Sequence, residues 1–368
     1  MNTNRLIKTF KKLVSIDSLS FNERELCDFI SSYLISLGFE IYEDSVGDKI
    51  GGNCGNLYCY LKGDNIYEPI LFSAHIDTVK PGKGKKAIIH ENKITSDGNT
   101  VLGADDISGI VAIIEAITTI KEKNIKHRTI ELLFTVAEEV YCLGSRYFDY
   151  SIIKSKKAYI LDLTGPTGTV ACQSPTIISF TIKITGKAAH TSSCMLNTVH
   201  SISIISKAIS KINVGAIDKE TMLNIGTING GISSNIIPEN TTITGEIRSF
   251  KHTKAINQLN KTFKIFSKIA KENNAKIETK SQIEIESYKI PPNSEVLKDF
   301  KRACNAMNIQ FNAGISFGGS DNNNFKKHGI DGIVLSCAME NTHSLDEYAS
   351  IDELKKITQL LIELMTIQ

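Results

Sequence analysis

Three apolar runs of strand length in the first half of the chain each end in a histidine or an acidic residue. The runs and the polar residues that close them are 70–75 with His75, 129–136 with Glu138 and Glu139, and 157–161 with Asp162. Runs that are apolar along their whole length are typical of strands buried on both faces of a parallel sheet. Because ligands collect at the carboxyl ends of such strands, we predict an α/β fold with a polar site at that edge of the sheet.

The strand pattern changes near residue 174. In the segment 174–285 the strands alternate apolar and polar residues, which is typical of an antiparallel sheet with one solvated face. Amphipathic helices are predicted between these strands at about 199–212 and 254–273. Apolar runs return after Ile290-Pro291-Pro292. We therefore predict a main domain formed by 1–173 and 286–368, with a mixed and mostly parallel sheet, and an inserted α+β domain at 174–285.

The N-terminal segment 4–37 has the apolar spacing of two helices, with a break at 16–20. Ser20 and Glu23 stand three residues apart at the predicted start of the second helix. This spacing predicts a capping box, in which the two side chains bind backbone N–H groups of the first turn.

Charge, apolar runs and cysteine spacing limit the partners that the protein could bind and the cellular compartment in which it could work. The net charge of +2 at pH 7 favours neither nucleic acid nor an anionic membrane as a partner. No run approaches the ~18 apolar residues of a membrane span, and the N-terminus lacks the apolar core of a signal peptide. The eight cysteines form no CxxC pair, which favours free thiols in a reducing cytoplasm over a thiolate zinc site.

The segment Thr95–Ile110 places two adjacent aspartates, Asp105 and Asp106, just before an apolar helix predicted at 111–120. Adjacent carboxylates repel each other unless positive charge lies close to them. The helix N-terminus supplies part of that charge, and a metal ion would supply more. From this stretch alone two interpretations stay open, which are helix capping with help from Ser108 and metal binding.

His75 and Asp77 form an H-x-D pair at the end of a strand. Side chains two residues apart in a strand point the same way, so the pair can share a site in which Asp77 holds one ring nitrogen of a ligating His75. The alternative is a histidine that is simply satisfied within the core.

Glu138 and Glu139 close a buried strand, where two carboxylates are costly unless they are neutralised. One glutamate as a metal ligand and its neighbour as a general base would explain the pair. The alternative is a solvated turn.

Two loops near the C-terminus add further candidates. His343 lies in a polar loop at 339–347, where a histidine by itself is usually just exposed. The loop 317–324 contains Gly318 and Gly319, and its backbone N–H groups could bind an anionic or carbonyl oxygen. Together, two histidines and four or more carboxylates make a nitrogen and oxygen ligand set suited to zinc, and Asp105 could bridge two metals.

Five sequence motifs stand in the order in which they occur in the M20 metallopeptidase family. They are SAHIDTV, the ADD of GADDISG, FTVAEE, the aspartate of YILDL, and NTHSLDEY. The chain resembles the peptidase T-like, tripeptide aminopeptidase-like branch of this family over nearly its whole length. The resemblance implies a zinc-peptidase catalytic domain of the phosphorylase/hydrolase-like fold, with 174–285 as a lid or dimerisation domain.

The resemblance also implies two Zn²⁺ ions per chain, with Co²⁺ or Mn²⁺ as alternatives. The implied ligands are His75 and Asp162 for one ion, Glu139 and His343 for the other, and Asp105 for both. Glu138 would be the general acid/base acting with a water between the metals, and Asp77 would orient His75. The Asp105–Asp106 peptide is expected to be cis, as it commonly is in the family.

Substrate would be held by His190, Asn235 and Arg248 of the lid, with Arg248 facing a carboxylate, and by Gly318 and Gly319. The chain departs from the family pattern at Ile107, at Phe317 and in the loop 191–198, and these departures concern substrate recognition.

The function expected from the resemblance is hydrolysis of short peptides such as tripeptides, from the amino terminus. Asp162 favours an aminopeptidase, because carboxypeptidase-like relatives often have Glu there. A metal-dependent amidase or deacylase acting on N-acylated amino acids is the alternative with the same chemistry. A non-catalytic metal- or peptide-binding relative is the alternative of another class. We also expect a cytoplasmic protein that forms a homodimer through the lid.

Overall fold

A computed structural model of the chain describes residues 1–193 and 197–366. The α-helices of these residues are, in chain order, α1 (Thr3–Val14), α2 (Arg24–Ser36), α3 (Val46–Ile50), α4 (Ala104–Glu122), α5 (Leu143–Tyr147), α6 (Ser201–Ile209), α7 (His252–Glu272), α8 (Glu295–Ala306), α9 (Asn322–Lys327) and α10 (Ile351–Met365). Among them, none combines the length and the apolar character needed to cross a membrane.

The β-strands of the same residues follow one another between these helices. They are β1 (Glu40–Glu43), β2 (Leu57–Leu61), β3 (Ile70–His75), β4 (Ile88–Ile89), β5 (Lys93–Thr95), β6 (Ile130–Thr135), β7 (Lys157–Leu163), β8 (Thr169–Ala171), β9 (Gln173–Ser174), β10 (Thr176–Thr185), β11 (Ala189–His190), β12 (Gly215–Ala216), β13 (Thr221–Gly230), β14 (Ile236–Ile237), β15 (Asn240–Ser249), β16 (Lys276–Ile285), β17 (Tyr288–Lys289), β18 (Asn312–Gly314), β19 (Asp331–Ser336), β20 (Met339–Glu340) and β21 (Tyr348–Ser350).

The chain divides into two compact units. Unit 1 consists of Met1–Gln173, Lys289–Ser316 and the residues from Ser320 onward. Its main sheet has the strand order β1-β2-β6-β3-β7-β19-β8-β18. The four central strands β6, β3, β7 and β19 run parallel to one another, and β1, β2 and β8 each have an antiparallel neighbour. The prediction of a mixed, mostly parallel α/β sheet is confirmed.

Strands β3 and β6 are buried at every residue, as their uninterrupted apolar runs predicted. They pair in register, with His75 opposite Thr135, so the segments that follow them leave the sheet at the same edge. Helix α4 packs on β3 and β7 and also contacts α1 and α10. It is buried from Ala104 to Ile120 and therefore begins earlier than the predicted 111–120, because a helix that is apolar on all sides has no amphipathic pattern to mark its ends.

Unit 2 consists of Ser174–Tyr288 together with Phe317–Gly319. Its antiparallel sheet has the order β12-β13-β15-β10-β16. Strand β10 shows the expected alternation, since Phe180 and Ile182 are buried while Thr181 and Lys183 are partly exposed. The buried side chains pack against α6 and α7 in one apolar core. Burial of one sheet face under two amphipathic helices explains the alternating pattern of the sequence.

The predicted capping box of α2 is wrong. The N-cap residue is Glu23, and its side chain makes no cap hydrogen bond. The Ser20 hydroxyl donates to Asp77 at 2.7 Å, and the Glu23 carboxylate accepts the backbone N–H groups of Phe21 and Ala137 at 2.9 and 3.1 Å. Gly38, with φ of 91°, follows the helix in the left-handed conformation that favours glycine.

The cysteines of the described residues are free thiols, as predicted. They are Cys27, Cys54, Cys59, Cys142, Cys172, Cys304 and Cys337. All of these except Cys172 are buried. Cys194 lies outside the described residues.

Candidate active site

The polar residues that close the three apolar runs lie at one edge of the central sheet. His75 is the last residue of β3, and Glu138 and Glu139 follow β6. Asp162 belongs to β7 itself, which continues to Leu163 and pairs with the end of β19. Because β6, β3 and β7 are adjacent parallel strands, their carboxyl ends bring these side chains together.

The imidazole of His75 is held between two aspartates. Its Nε2 lies 2.9 Å from Oδ1 of Asp105, and its Nδ1 lies 3.0 Å from the carbonyl oxygen of Asp77 and 3.4 Å from Oδ1 of the same residue. The side chain is 2% exposed. A ring with one nitrogen fixed by a second aspartate and the other directed at a carboxylate has the arrangement of a metal-ligating histidine.

Asp105 also reaches the second histidine. Its Oδ2 lies 3.2 Å from Nε2 of His343, and the same nitrogen lies 2.9 Å from Oε1 of Glu139. The ligand atoms of His75, Asp105 and Asp162 all lie within 4.8 Å of one another, and so do those of Asp105, Glu139 and His343. Asp105 is common to both groups, which is the geometry that a bridging carboxylate between two metal ions requires.

Asp106 has a different role from its neighbour. Its carboxylate accepts the backbone N–H groups of His75 and Gly109, each at 3.2 Å. Asp105 and Asp106 have non-helical backbone angles within α4, so Asp106 caps the regular helix that follows this kink. The Asp105–Asp106 peptide is cis, as the resemblance implied. A Cβ at Gly109 would lie 2.5 Å from Asp106 Oδ1, so only glycine fits at this position. Ser108 does not cap, since its buried hydroxyl has no hydrogen-bond partner among the described residues.

The electrostatics of the cluster favour a bound cation. Burial raises the pKa of the carboxyl groups of Glu138, Glu139 and Asp162. Burial acts in the same direction on Asp105, but hydrogen bonds from His343 and His75 outweigh it and lower the pKa of Asp105. Hydrogen bonds to Asp105 and Glu139 raise the pKa of His343 to about 10. Buried carboxylates are costly without positive charge, and two imidazoles with several carboxylates are a donor set that fits divalent ions of the zinc type.

Glu138 and Glu139 do not form a solvated turn. The Glu139 side chain is 7% exposed and Glu138 is partly buried. The backbone N–H groups of Glu138 and Glu139 donate to Oδ1 and Oδ2 of Asp77 at 2.9 and 3.2 Å. The Cys142 thiol donates to Oε1 of Glu138 at 3.0 Å. Glu138 thus lies beside the ligand cluster with one carboxylate oxygen held by a thiol.

Three residues at the site were given no role from the sequence. Glu347 is 1% exposed and accepts the N–H groups of Gly103 and Asp105. Asp321 accepts the hydroxyls of Thr135 and Ser145, and it forms a third close group with Glu138 and Cys142. Glu347 could have been noticed from its position four residues after His343 in an otherwise polar loop. Nothing local marks Asp321 or Cys142, because their neighbours come from distant segments.

The residues predicted to bind substrate all belong to unit 2. His190 and Asn235 are close, since β11 pairs with β14 and the N–H of Thr191 donates to the Asn235 carbonyl at 3.0 Å. Arg248 donates to the carboxylate of Glu246 and, at 2.8 Å, to the carbonyl of Phe317. Gly318 follows directly, and its carbonyl accepts the Ser174 hydroxyl at 2.8 Å. A Cβ at Gly319 would lie 2.2 Å from the Ile285 side chain.

Two of the three departures from the family pattern can be located. Ile107 is buried in α4 at 3% exposure, so it serves packing at this position. The ring of Phe317 lies against that of Phe250, with 4.6 Å between centroids. Residues 194–196 of the altered loop lie outside the described residues.

Known proteins share both this sequence and this fold. The profile of the peptidase family M20/M25/M40 matches residues 71–366. The uncharacterized protein YqjE of Bacillus subtilis is 35% identical over 99% of this chain and 98% of its own length. The crystal structure of the aminopeptidase PepT from Bacillus cereus has a TM-score of 0.91 at 35% identity, with 99% of this chain and 98% of that one covered. A tripeptidase from Staphylococcus aureus has a TM-score of 0.96 at 30% identity, with the same coverage of both chains.

The chain belongs to the M20/M25/M40 peptidase family. It is a peptidase of the peptidase T-like branch, to which it is similar over almost its entire length.

Proposed function

We propose that this peptidase releases amino-terminal residues from short peptides such as tripeptides, and that it uses two zinc ions to do so. The observation that carries the proposal is the pair of three-ligand groups that share Asp105. The proposal is supported by the similarity to an aminopeptidase and to a tripeptidase. Co²⁺ or Mn²⁺ would suit the same nitrogen and oxygen donors.

In this proposal His75 and Asp162 would hold one ion, Glu139 and His343 would hold the other, and Asp105 would contribute to both sites. When bound, the ions would polarise the scissile carbonyl group and lower the pKa of the attacking water. Asp77 fixes Nδ1 of His75 and, through two backbone hydrogen bonds, the segment that carries the two glutamates.

Glu138 is the proposed general acid/base. Its carboxylate lies beside the cluster and is not one of the proposed ligands, so it is free to take a proton from the attacking water and return it to the leaving amine. Burial raises the pKa of Glu138, and a carboxyl group with a raised pKa is a better proton acceptor and a usable donor near neutral pH. The Cys142 thiol holds Oε1, which leaves Oε2 to exchange the proton.

Roles for unit 2 rest on the family resemblance alone. His190, Asn235, Arg248, Gly318 and Gly319 stay proposed substrate-binding residues, and the homodimer through the lid stays a prediction. The Arg248 guanidinium donates a hydrogen bond to the Glu246 carboxylate in this structure. A substrate carboxylate would therefore have to displace Glu246 or bind Arg248 beside it.

The experiment that tests the function compares four substrates at the same metal loading. They are a free tripeptide, the same tripeptide acetylated at its amino terminus, the same tripeptide amidated at its carboxyl terminus, and an N-acetylated amino acid. We expect release of the first residue from the free tripeptide and loss of activity on acetylation, since the amino group would no longer be recognised. Preferred hydrolysis of the N-acetylated amino acid would replace this proposal with a deacylase, and release of the last residue would make the enzyme a carboxypeptidase.

A further inference from the structure

The turn formed by residues 18–23 touches both segments that follow β3 and β6. The N–H of Thr78 donates to the Ser18 carbonyl at 2.9 Å, and Leu19 forms an isolated bridge with Thr78. The Ser20 hydroxyl donates to Oδ2 of Asp77 at 2.7 Å, across 57 residues of sequence. The turn is therefore bonded to the stretch that begins at His75 by backbone and side chain together.

The same turn reaches the glutamate pair through Glu23. Its Oε1 accepts the Ala137 N–H at 3.1 Å, across 114 residues of sequence, and the Phe21 N–H at 2.9 Å. Glu23 is fully buried. Its Oε2 has no hydrogen-bond partner within the described residues. A buried oxygen without a partner lowers the stability of the fold.

The backbone N–H groups of three successive residues, 137–139, consequently donate hydrogen bonds to two buried carboxylates. The N–H of Ala137 donates to Glu23, and those of Glu138 and Glu139 donate to Asp77. Ala137 has φ of 48°, a left-handed conformation that costs a non-glycine residue about 1 kcal/mol or more. Such a conformation persists only where its surroundings enforce it, and the two carboxylates supply that enforcement.

We propose that Ser20 and Glu23 are positioning residues for the reaction, which fix the direction in which Glu138 and Glu139 leave the sheet. Glu23 fixes the turn at Ala137. Ser20 fixes the Asp77 carboxylate, which accepts the N–H groups of the next two residues. Neither residue is one of the proposed metal ligands or substrate-binding residues. The expected effect on catalysis rests on the proposed function. The expected effect on the backbone of residues 137–139 does not.

Side-chain replacement separates positioning from simple stability. Glu23→Ala removes the acceptor of the Ala137 N–H, whereas Glu23→Gln keeps an acceptor oxygen at nearly the same place. Burial, together with the Asp77 charge, raises the pKa of Glu23 to about 7, so a neutral isostere is a fair substitute. Ser20→Ala, at a partly buried position, is a second and milder probe.

Glu131→Ala provides the matched control. Glu131 is another fully buried glutamate and lies on β6 itself. Its carboxylate accepts the backbone N–H groups of Lys154 and Ser155 at 2.9 and 2.7 Å and the Tyr58 hydroxyl. Loss of these bonds should lower stability without altering the segment 137–139, so kcat of the folded enzyme should stay as in the wild type.

We expect Glu23→Ala to lower kcat by about 10–100-fold with little change in KM and with full metal content, because a displacement near 1 Å is enough for such a loss. Glu23→Gln should recover most of kcat, and Ser20→Ala should lower it less than Glu23→Ala. Unchanged kcat in Glu23→Ala, or an equal loss of kcat in Glu131→Ala, would overturn the inference.

Amide hydrogen exchange of the peptide that contains residues 137–139 gives a readout independent of substrate and metal. Exchange should be faster in Glu23→Ala and Ser20→Ala than in the wild type and in Glu131→Ala. If exchange responds in this way but the wild type cleaves no peptide, the proposed function is wrong and the structural role of the two residues stands. Unaltered exchange in both variants would contradict the positioning role, whatever the enzyme hydrolyses.

Discussion

Glu347 accepts the backbone N–H of Asp105 at 3.0 Å, so a buried carboxylate fixes the residue on which both ligand groups meet. Its other oxygen accepts the N–H of Gly103 at 2.7 Å. The loop that leads into α4 is thereby held at two points from the segment that carries His343. A residue that orients a ligand in this way affects metal affinity without touching the metal.

We predict that Glu347→Gln weakens metal binding by about 10–100-fold, the usual effect of removing such a supporting group. The NH₂ group of the glutamine would face the backbone N–H of Gly103 or of Asp105, and two donors cannot form a hydrogen bond with each other. Affinity is measured by competition with a chromophoric chelator. The control is Glu353→Gln, since Glu353 accepts a backbone N–H from Thr167 at 2.7 Å but touches no proposed ligand. Equal affinities in both variants would mean that Glu347 does not support Asp105.

Glu138→Gln should keep both metal ions and bind substrate, yet lose about 10²–10⁴-fold in kcat, the usual contribution of general acid–base catalysis. Glutamine keeps the size and polarity of the side chain but cannot accept the proton. Steady-state kinetics and metal analysis of the same preparation test this. Turnover close to the wild type at full metal content would remove Glu138 from the proton transfer.

Metal stoichiometry distinguishes the two ligand groups. Asp162→Asn should weaken binding of the ion that we assign to His75, and His343→Ala should weaken binding of the ion that we assign to Glu139. We therefore expect one tightly bound zinc in each variant and two in the wild type. Elemental analysis after dialysis against a weak chelator gives the ratio. Two tightly bound ions in both variants would show that the ligands are assigned wrongly.

Removal of metal should also change stability. A metal ion that binds the folded cluster but not the separated segments of the unfolded chain stabilises the fold, and the stabilisation grows with the logarithm of the free metal concentration above the Kd. We expect a lower Tm in the presence of a strong chelator, with recovery on addition of zinc. A Tm that does not respond to either treatment would contradict binding at these residues.

Lys85 gives a prediction about pH. Its Nζ donates to the carbonyls of Ile16 and Gly82 at 3.1 and 3.3 Å, and its burial lowers the pKa of the ammonium group from 10.5 to about 8. Between pH 8 and 10.5 the unfolded chain binds more protons at this residue, so its contribution to the free energy of unfolding rises with pH. The contribution is on the order of 3 kcal/mol over that interval.

Lys85→Met should remove this rise, and the unfolding free energy of the variant should increase less with pH than that of the wild type. Denaturant titrations at several pH values between about 8 and 10 measure the difference. Lys86→Met is the control, because Lys86 is exposed. Parallel pH profiles for the wild type and Lys85→Met would mean that the folded pKa of Lys85 is not lowered.

The central strands could be predicted because a strand buried on both faces has an uninterrupted apolar run in the sequence. β3 and β6 agree with the predicted runs to within a residue at each end. β7 extends two residues beyond the predicted 157–161, because its end pairs with Ser336, and that partner lies far along the chain. The end of a strand depends on its neighbour, which local composition does not reveal.

Ser20 and Glu23 illustrate the limit of local patterns at the site. Their spacing satisfies the capping-box motif, yet both side chains bind groups that are 57 and 114 residues away. A short motif indicates the hydrogen bonds that a helix end could make, and tertiary contacts decide which bonds form. The candidate ligand residues were easier to find in the sequence, because an acidic residue or a histidine at the end of a buried strand is costly unless a partner or a bound ion compensates its charge.

The position of β19 between β7 and β8 has a consequence for synthesis on the ribosome. β7 and β8 are translated early, and the strand that separates them in the sheet comes after all of unit 2. A nascent chain therefore carries two strand edges that wait for a partner from its own C-terminal part. His343 follows β19, so the group of Asp105, Glu139 and His343 can assemble only after β19 has been synthesised, whereas His75, Asp105 and Asp162 all precede unit 2 in the chain.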